Sequence, residues 1–210
     1  MQAKKKTAEG PQESDSIQLF RGVAVSYNLA GTVIRAVSDY GEIEAAARVN
    51  LRDRYFPTLE FGLGSAKHAL DPISGIEAKT NAPFFRLGCD FNVLRNKHDI
   101  YRLMFGARYA MTHFTQKAYG DIVDPYWGGT LPYYAETTST YHWAELLLAL
   151  DARMWGPVRL GWSFRYKFHI TGDSKDPAQQ LWYIPGFGKN GNVLGATFNV
   201  TVELWRKNKR

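Results

Sequence analysis

The nearest approach to a hydrolytic set in this sequence is His169-Ile170-Thr171 and Ser174, with His142 and Glu145 upstream. A histidine oriented by a carboxylate can take the proton from a hydroxyl and turn that oxygen on an ester. A rim esterase that spaces His and Ser two apart would need serine at 171, where this chain has Thr171. His68, His98, His113, His142 and His169 are scattered without paired metal-ligand spacing, and Cys89 is the only cysteine. Asp121 and Asp124 lack the oxygen-rich twelve-residue calcium pattern around them. Gly186-Phe187-Gly188-Lys189-Asn190-Gly191 resembles a phosphate cradle only in composition and reads as the loop entering the last strand. The expectation is a chain with no catalytic residues, no cofactor and no bound metal.

The charged residues are better ordered than the nucleophiles. Glu42, Glu44, Arg48, Glu60, Arg86, Asp90, Arg102, Arg108, Glu145, Asp151, Arg159, Arg165 and Glu203 all fall on one face of alternating stretches. Acids and bases nearly balance, and arginine is preferred to lysine on these stretches. The planar guanidinium fork suits buried carboxylate pairing, whereas lysine is the usual solvated charge. An enclosed ion-pair network is expected, each charge partnered because an unpaired buried one is costly. Apart from Lys167, the lysines fall in stretches read as tails, turns or loops.

The elements that must hold these charges are β-ribbons, whose side chains alternate with period two. Eight are legible: 18–29, 42–52, 55–65, 83–94, 100–112, 141–154, 157–170 and 194–205. In 157–170, Val158, Leu160, Trp162, Phe164, Tyr166, Phe168 and Ile170 oppose Arg159, Gly161, Ser163, Arg165, Lys167 and His169. In the last ribbon Ala196, Phe198, Val200, Val202 and Leu204 oppose Thr197, Asn199, Thr201 and Glu203. The Glu145–Leu150 segment of 141–154 could equally be helical by its composition. Short turns at Arg52–Arg54, Arg95–Asp99 and Trp155–Gly156 alternate with long connections near 30–41, 66–82, 113–140 and 171–192. The first of these, with Val33, Ile34, Val37 and Tyr40, has room for a helical turn. If each strand reverses the last, the short turns share one end with both termini.

Roughly forty apolar side chains exceed what the interior of eight strands can hold, so the apolar face is expected to look outward at lipid. The opposite face is rich in Gly, Ala, Ser and Thr, which suits a crowded interior. A mean hydropathy of −0.34 is compatible with this, because a lipid-facing barrel hides its apolar half in alternation. The 210 residues include 12 Tyr, 12 Phe and 6 Trp, and Tyr27, Tyr55, Tyr101, Trp162, Phe168 and Trp205 fall near ribbon ends as interfacial girdles would. The formal charge of +6 is carried largely by Lys4, Lys5, Lys6 and Arg206–Arg210, so no nucleic-acid partner is expected. No run of about twenty apolar residues offers a transmembrane helix. An exported chain loses its signal peptide, so the polar start is compatible with export.

The fold class expected is all-β: an eight-stranded antiparallel up-and-down transmembrane barrel over 17–205, with short periplasmic turns and long extracellular loops. Residues 1–16 read as a disordered leader and 206–210 as a basic tail. Loop aromatics Tyr126, Trp127, Tyr133 and Tyr134 are binding candidates. Outer-membrane lipid (lipopolysaccharide or phospholipid) and other outer-membrane proteins are the expected partners. A flat wall of small residues at Gly22, Ala24, Ala45 and Ala47 is a candidate contact surface.

Phe20-Arg21-Gly22-Val23, Ser38-Asp39-Tyr40-Gly41, Arg52-Asp53-Arg54-Tyr55-Phe56-Pro57, Gly88-Cys89-Asp90-Phe91-Asn92 and Asn96-Lys97-His98-Asp99 carry a likeness. They resemble a Bacteroidota family of small outer-membrane barrels of unknown function. The resemblance implies fold and outer-membrane location, brings no catalytic residue, and implies an accessory subunit beside larger assembly or transport complexes.

Overall fold

The computed structural model describes residues 19–68, 76–95, 100–123, 128–174, 182–189 and 191–206. The leader 1–16, most of the basic tail, and Tyr126, Trp127, Asp124 and His98 lie outside them. Eight long strands dominate: β1 (Phe20–Asn28), β2 (Tyr40–Leu51), β3 (Tyr55–His68), β4 (Ile76–Asn92), β5 (Tyr101–Val123), β6 (Thr130–Trp155), β7 (Val158–Ser174) and β10 (Leu194–Arg206). Two short strands, β8 (Tyr183–Ile184) and β9 (Gly188–Lys189), pair with each other inside the β7–β10 connection.

Each long strand pairs antiparallel with its neighbour in the order β1-β10-β7-β6-β5-β4-β3-β2, and the β1–β10 pairing closes the ring. From Tyr27, register partners run through Ala45, Phe61 and Phe85 to Met111 on β5. In the other direction they run through Val200, Leu160 and Ala152 to Tyr101, ten residues lower on the same strand. That stagger, at about 3.3 Å per residue against about 4.8 Å between strands, tilts the strands by roughly 40°, within the range of closed eight-stranded barrels.

Burial follows the period-two alternation and is inverted relative to a water-soluble core. Phe61, Leu87, Phe105, Leu148, Trp162 and Phe164 are exposed, while Glu60, Arg86, Arg108 and Arg165, one to three residues away, are buried. The 141–154 ribbon is strand, with Leu146, Leu148 and Leu150 outward and Leu147 and Ala149 inward. Arg52 and Asp53, at φ 57° and 53°, make the β2–β3 turn, closed by Arg54 N–H donating to the Leu51 oxygen at 3.1 Å.

The long connections bear out one sequence expectation, the helical turn in 30–41, and correct others. The 30–41 connection holds a nine-residue helix, α1 (Leu29–Val37), whose start is capped by Asn28 Oδ1 accepting from Gly31 N–H at 3.0 Å. Its Val33, Ile34 and Val37 are exposed beside the barrel rim. Much of 66–82 and 113–140 is strand: β4 begins at Ile76, and β5 and β6 stay registered up to Val123 and Thr130. Tyr133 and Tyr134 therefore lie on β6, and Lys67, Lys79 and Lys117 lie on strands. The hairpins outrun the band where the outward face is apolar, so the hydrophobic alternation that marks a strand fades while the hydrogen-bond ladder continues. Gly22 and Ala24 are buried on the inner face, leaving only Ala45 and Ala47 on the proposed wall. Alternation is unbroken from Gly22 to Asn28, so both fall inside with Ser26, and the bulge between Phe20 and Gly22 against β2 brings Arg21 inside as well.

Candidate functional site

The interior of the ring is stacked in layers. Nearest the short turns, Asp53 forms an ion pair with Arg21, Oδ2 to Nε at 3.0 Å, and lies 3.6 Å from Arg102. Arg102 also pairs with Glu203 at 3.0 Å, which lies 3.3 Å from Arg153 and 3.8 Å from Arg159. Arg159 donates to the Ile100 carbonyl at 2.8 Å. Phe56, Met104, Leu147 and Ala149 form a small apolar cluster next, with the Arg102 guanidinium 5.1 Å from the Phe56 ring centre.

The middle layer is built on Asp90. Arg108 grips it through both terminal nitrogens, at 2.7 and 2.9 Å, and Arg48 bridges it to Asp151 at 3.5 and 3.1 Å. The two-pronged contact fixes orientation as well as charge. Arg108 Nε also donates to Glu60 at 3.0 Å, linking this layer to the one above.

In that upper layer, Arg165 and Arg86 sit among four glutamates. Arg165 reaches Glu44, Glu60 and Glu145 at 3.0, 2.9 and 3.3 Å. Arg86 reaches Glu44 at 2.6 Å, Glu145 at 3.1 Å, Glu60 at 3.7 Å and Glu42 at 3.8 Å. The structure thus gathers all thirteen charged residues singled out in the sequence into one interior network. It adds Arg21, Asp53, Arg153 and Lys167. Arg21 and Asp53 escaped sequence reading because a bulge and a turn place them, and neither lies on a clean alternating run.

The loop before β10 caps the network. Ile184-Pro185-Gly186-Phe187 makes a type II turn, with Gly186 at φ 80° and Phe187 N–H donating to the Ile184 oxygen at 3.0 Å. Tyr183, Ile184 and Phe187 are buried with Phe84, Phe114, Tyr141 and Trp143. Phe187 meets Trp143 edge-to-face at 5.8 Å, and Trp143 Nε1 donates to Glu145 at 2.6 Å. Arg86 Nη2 donates to the Gly186 oxygen, and Lys167 Nζ to the Phe187 oxygen, each at 2.6 Å. Burial, with the nearby Glu42 charge, pushes the Tyr183 phenol well above its ordinary pKa, so it stays a donor, 3.3 Å from the Gly41 oxygen. Residues 183–187 thus form an inward-folded plug, in a region that the sequence suggested was a plain connector. The Pro-Gly pair between Ile184 and Phe187 was the available signal.

Of the hydrolytic candidates, His142 stands opposite Thr171 across the β6–β7 pair, while Glu145 is buried inside the ring. Both Glu145 oxygens are engaged by Arg86, Trp143 and Arg165. His142 Nδ1 shares a hydrogen bond with Tyr109 Oη at 2.8 Å, and His169 stacks on Tyr141 at 4.4 Å. Among the described residues no group of three His, Cys, Asp or Glu could hold a metal. On the outer wall, Phe105, Leu146, Leu148, Phe164, Leu194 and Ala196 border a groove of about 490 Å³.

A family model described as a domain of unknown function (DUF6048) matches residues 1–205. No curated protein and no solved structure matches the chain.

Proposed function

The chain belongs to the DUF6048 domain family, and we propose that it is a non-enzymatic, integral outer-membrane β-barrel serving as a structural or accessory subunit of a larger outer-membrane complex, of assembly or transport type. One observation carries the membrane reading: within the apolar band, charged residues point inward and most large apolar ones outward around the ring. A water-exposed apolar surface of this extent would be an aggregation hazard, whereas lipid solvates it. At a tilt of roughly 40°, the nine residues of β1 rise about 23 Å, close to the apolar band of outer-membrane barrels. Exposed aromatics line the short-turn end: Phe20 meets Trp205 edge-to-face at 6.0 Å, Tyr55 packs on Phe91 at 5.5 Å, and Tyr101 and Trp155 are exposed.

The accessory role is supported by what fills the interior. Ion pairs and the inward loop occupy the space a solute would need, so the usable surfaces are the wall, the rim and the projecting strands. The groove between Phe105 and Ala196 on the outer wall offers a place for a neighbouring protein. Heat-modifiable gel migration in detergent tests the barrel; a chain soluble without detergent would overturn it. Purification from native membranes in mild detergent tests the subunit role, with co-recovery of a larger outer-membrane protein expected. Recovery only as a free monomer would count against it.

A second reading has its own observation. β5 and β6 remain paired for 23 residues of β5, about 60 Å of rise, far beyond the band. The projecting ribbon carries Tyr119, Tyr133 and Tyr134 and would serve surface binding or adhesion.

A further inference from the structure

Three lysines stand in one row on the outer surface above the apolar band. Register places Lys67 of β3 opposite Lys79 of β4, and Lys79 opposite Lys117 of β5. Like charges placed directly across strands weaken their pairing, so such a row calls for an anion. The carboxylate at hand is Glu77, whose Oε1 lies 3.4 Å from Lys67 and 3.2 Å from Lys79. Lys79 also sits 4.9 Å above the Tyr119 ring. Glu136 faces Lys117 in register but accepts from Tyr134 Oη at 2.8 Å, and Lys117 has no carboxylate within ion-pair distance among the described residues.

A cleft of about 410 Å³ opens along this row, lined by Ser65, Asn81, Thr115, Arg35 and Asp39 as well as the lysines, so its lining holds four cations to one acid. Arg35 ends α1 and reaches the Leu63 oxygen at 3.5 Å, so a fourth cation stands where the wall turns apolar. Further down the same outward rows, past Pro83 and His113, Leu63, Phe85 and Met111 are exposed. On the same outward rows β6 presents Thr140, Thr138 and Glu136 instead, so the cations are gathered on one side of the ring.

We propose that this cleft binds the phosphate-bearing headgroup of a membrane lipid whose acyl chains lie on Leu63, Phe85 and Met111. The proposal rests on the membrane reading above. Cations over an apolar wall match the amphiphile in both halves: phosphate oxygens accept from the ammonium groups and from Ser65, Asn81 and Thr115, and the chains cover the exposed side chains.

The test uses the full chain in detergent, with phosphatidic acid and a chain-matched diacylglycerol as probes and native mass spectrometry counting bound lipid. The wild type should retain phosphatidic acid at least about tenfold over diacylglycerol. Lys67→Gln, Lys79→Gln and Lys117→Gln together should abolish that preference, since all three side chains are exposed and remote from the interior network. Equal preference in the triple variant overturns the site. Displacement of phosphatidic acid by low millimolar inorganic phosphate also overturns it, by making the cleft a free-anion site. Heat-modifiable migration of the same samples separates the two readings: a shift without lipid preference defeats this site alone, and no shift defeats the barrel with it.

Discussion

Arg86 donates through Nη2 to the backbone oxygen of Gly186 at 2.6 Å, while its other nitrogens hold Glu44 and Glu145. One guanidinium therefore ties the inward loop to glutamates on β2 and β6 and makes the plug part of the charged interior. Removing it would leave carboxylates buried with fewer cations and the Gly186 carbonyl without its donor. Arg86→Met should cost about 3–5 kcal/mol, read as a lower midpoint in heat-modifiable migration or urea unfolding from lipid. Arg86→Lys should recover part of it, because a single ammonium cannot serve three directions at once. A midpoint equal to the wild type would show that the network is energetically idle.

The loop's other anchor is Phe187, buried against Trp143 and Tyr141. Truncating a buried phenylalanine typically costs about 3–5 kcal/mol, and here the loss falls on the loop. Phe187→Ala should speed tryptic cleavage after Lys189 in folded protein while leaving the barrel band on the gel unchanged. Cleavage at the wild-type rate would mean that the ring does not secure the loop.

Inside the ring, glycines make room for charges from the neighbouring strand. A Cβ on Gly106 would collide with the Asp90 carboxylate that Arg108 grips, whereas one on Gly129 would meet nothing within 4 Å. Gly106→Ala should therefore destabilise by about 1–3 kcal/mol and Gly129→Ala by less than about 0.5 kcal/mol. Paired denaturation curves check the contrast. Equal effects would mean that Asp90 can move away without loss.

The strands and the inner charges were legible because period two survives in sequence wherever one face of a strand is apolar and the other polar. Leu87 against Arg86, or Phe164 against Arg165, announces its face with no knowledge of neighbours. The upper parts of β4, β5 and β6 were not, since both their faces are polar and Thr137–Thr140 reads like a loop. Phe84, Trp143 and Phe187 escaped for another reason. Their burial depends on a loop folding back across the ring, and that contact between distant segments leaves no local period. The layering around Asp90 was also hidden, because it follows from the ten-residue stagger that only a closed ring reveals.

Cys89 lies between Leu87 and Phe91 on the outer face and is exposed. In a lipid-embedded wall, an apolar maleimide should label it in intact membranes and a charged, impermeant one should not. Both should label after denaturation. Rapid reaction with the charged reagent in folded protein would place this wall in water.

The same wall gives the energetic test of orientation. Phe105 is exposed on β5 about 10 Å above Tyr101 and the short-turn edge, near the middle of the apolar band, and lies opposite Leu148 across the strand pair. A charge set on the lipid face near the midplane costs about 2–4 kcal/mol, falling to about 0–1 near the interface. Phe105→Arg should therefore lower folding into bilayers by that amount, whereas Tyr101→Arg, at the short-turn edge of the same strand, should be nearly neutral. In water the order would differ: both positions are already exposed, so neither arginine would be penalised and the Phe105 variant would gain solubility. The depth dependence separates the two solvents, because a wet wall has no reason to distinguish residues four apart on one face of one strand.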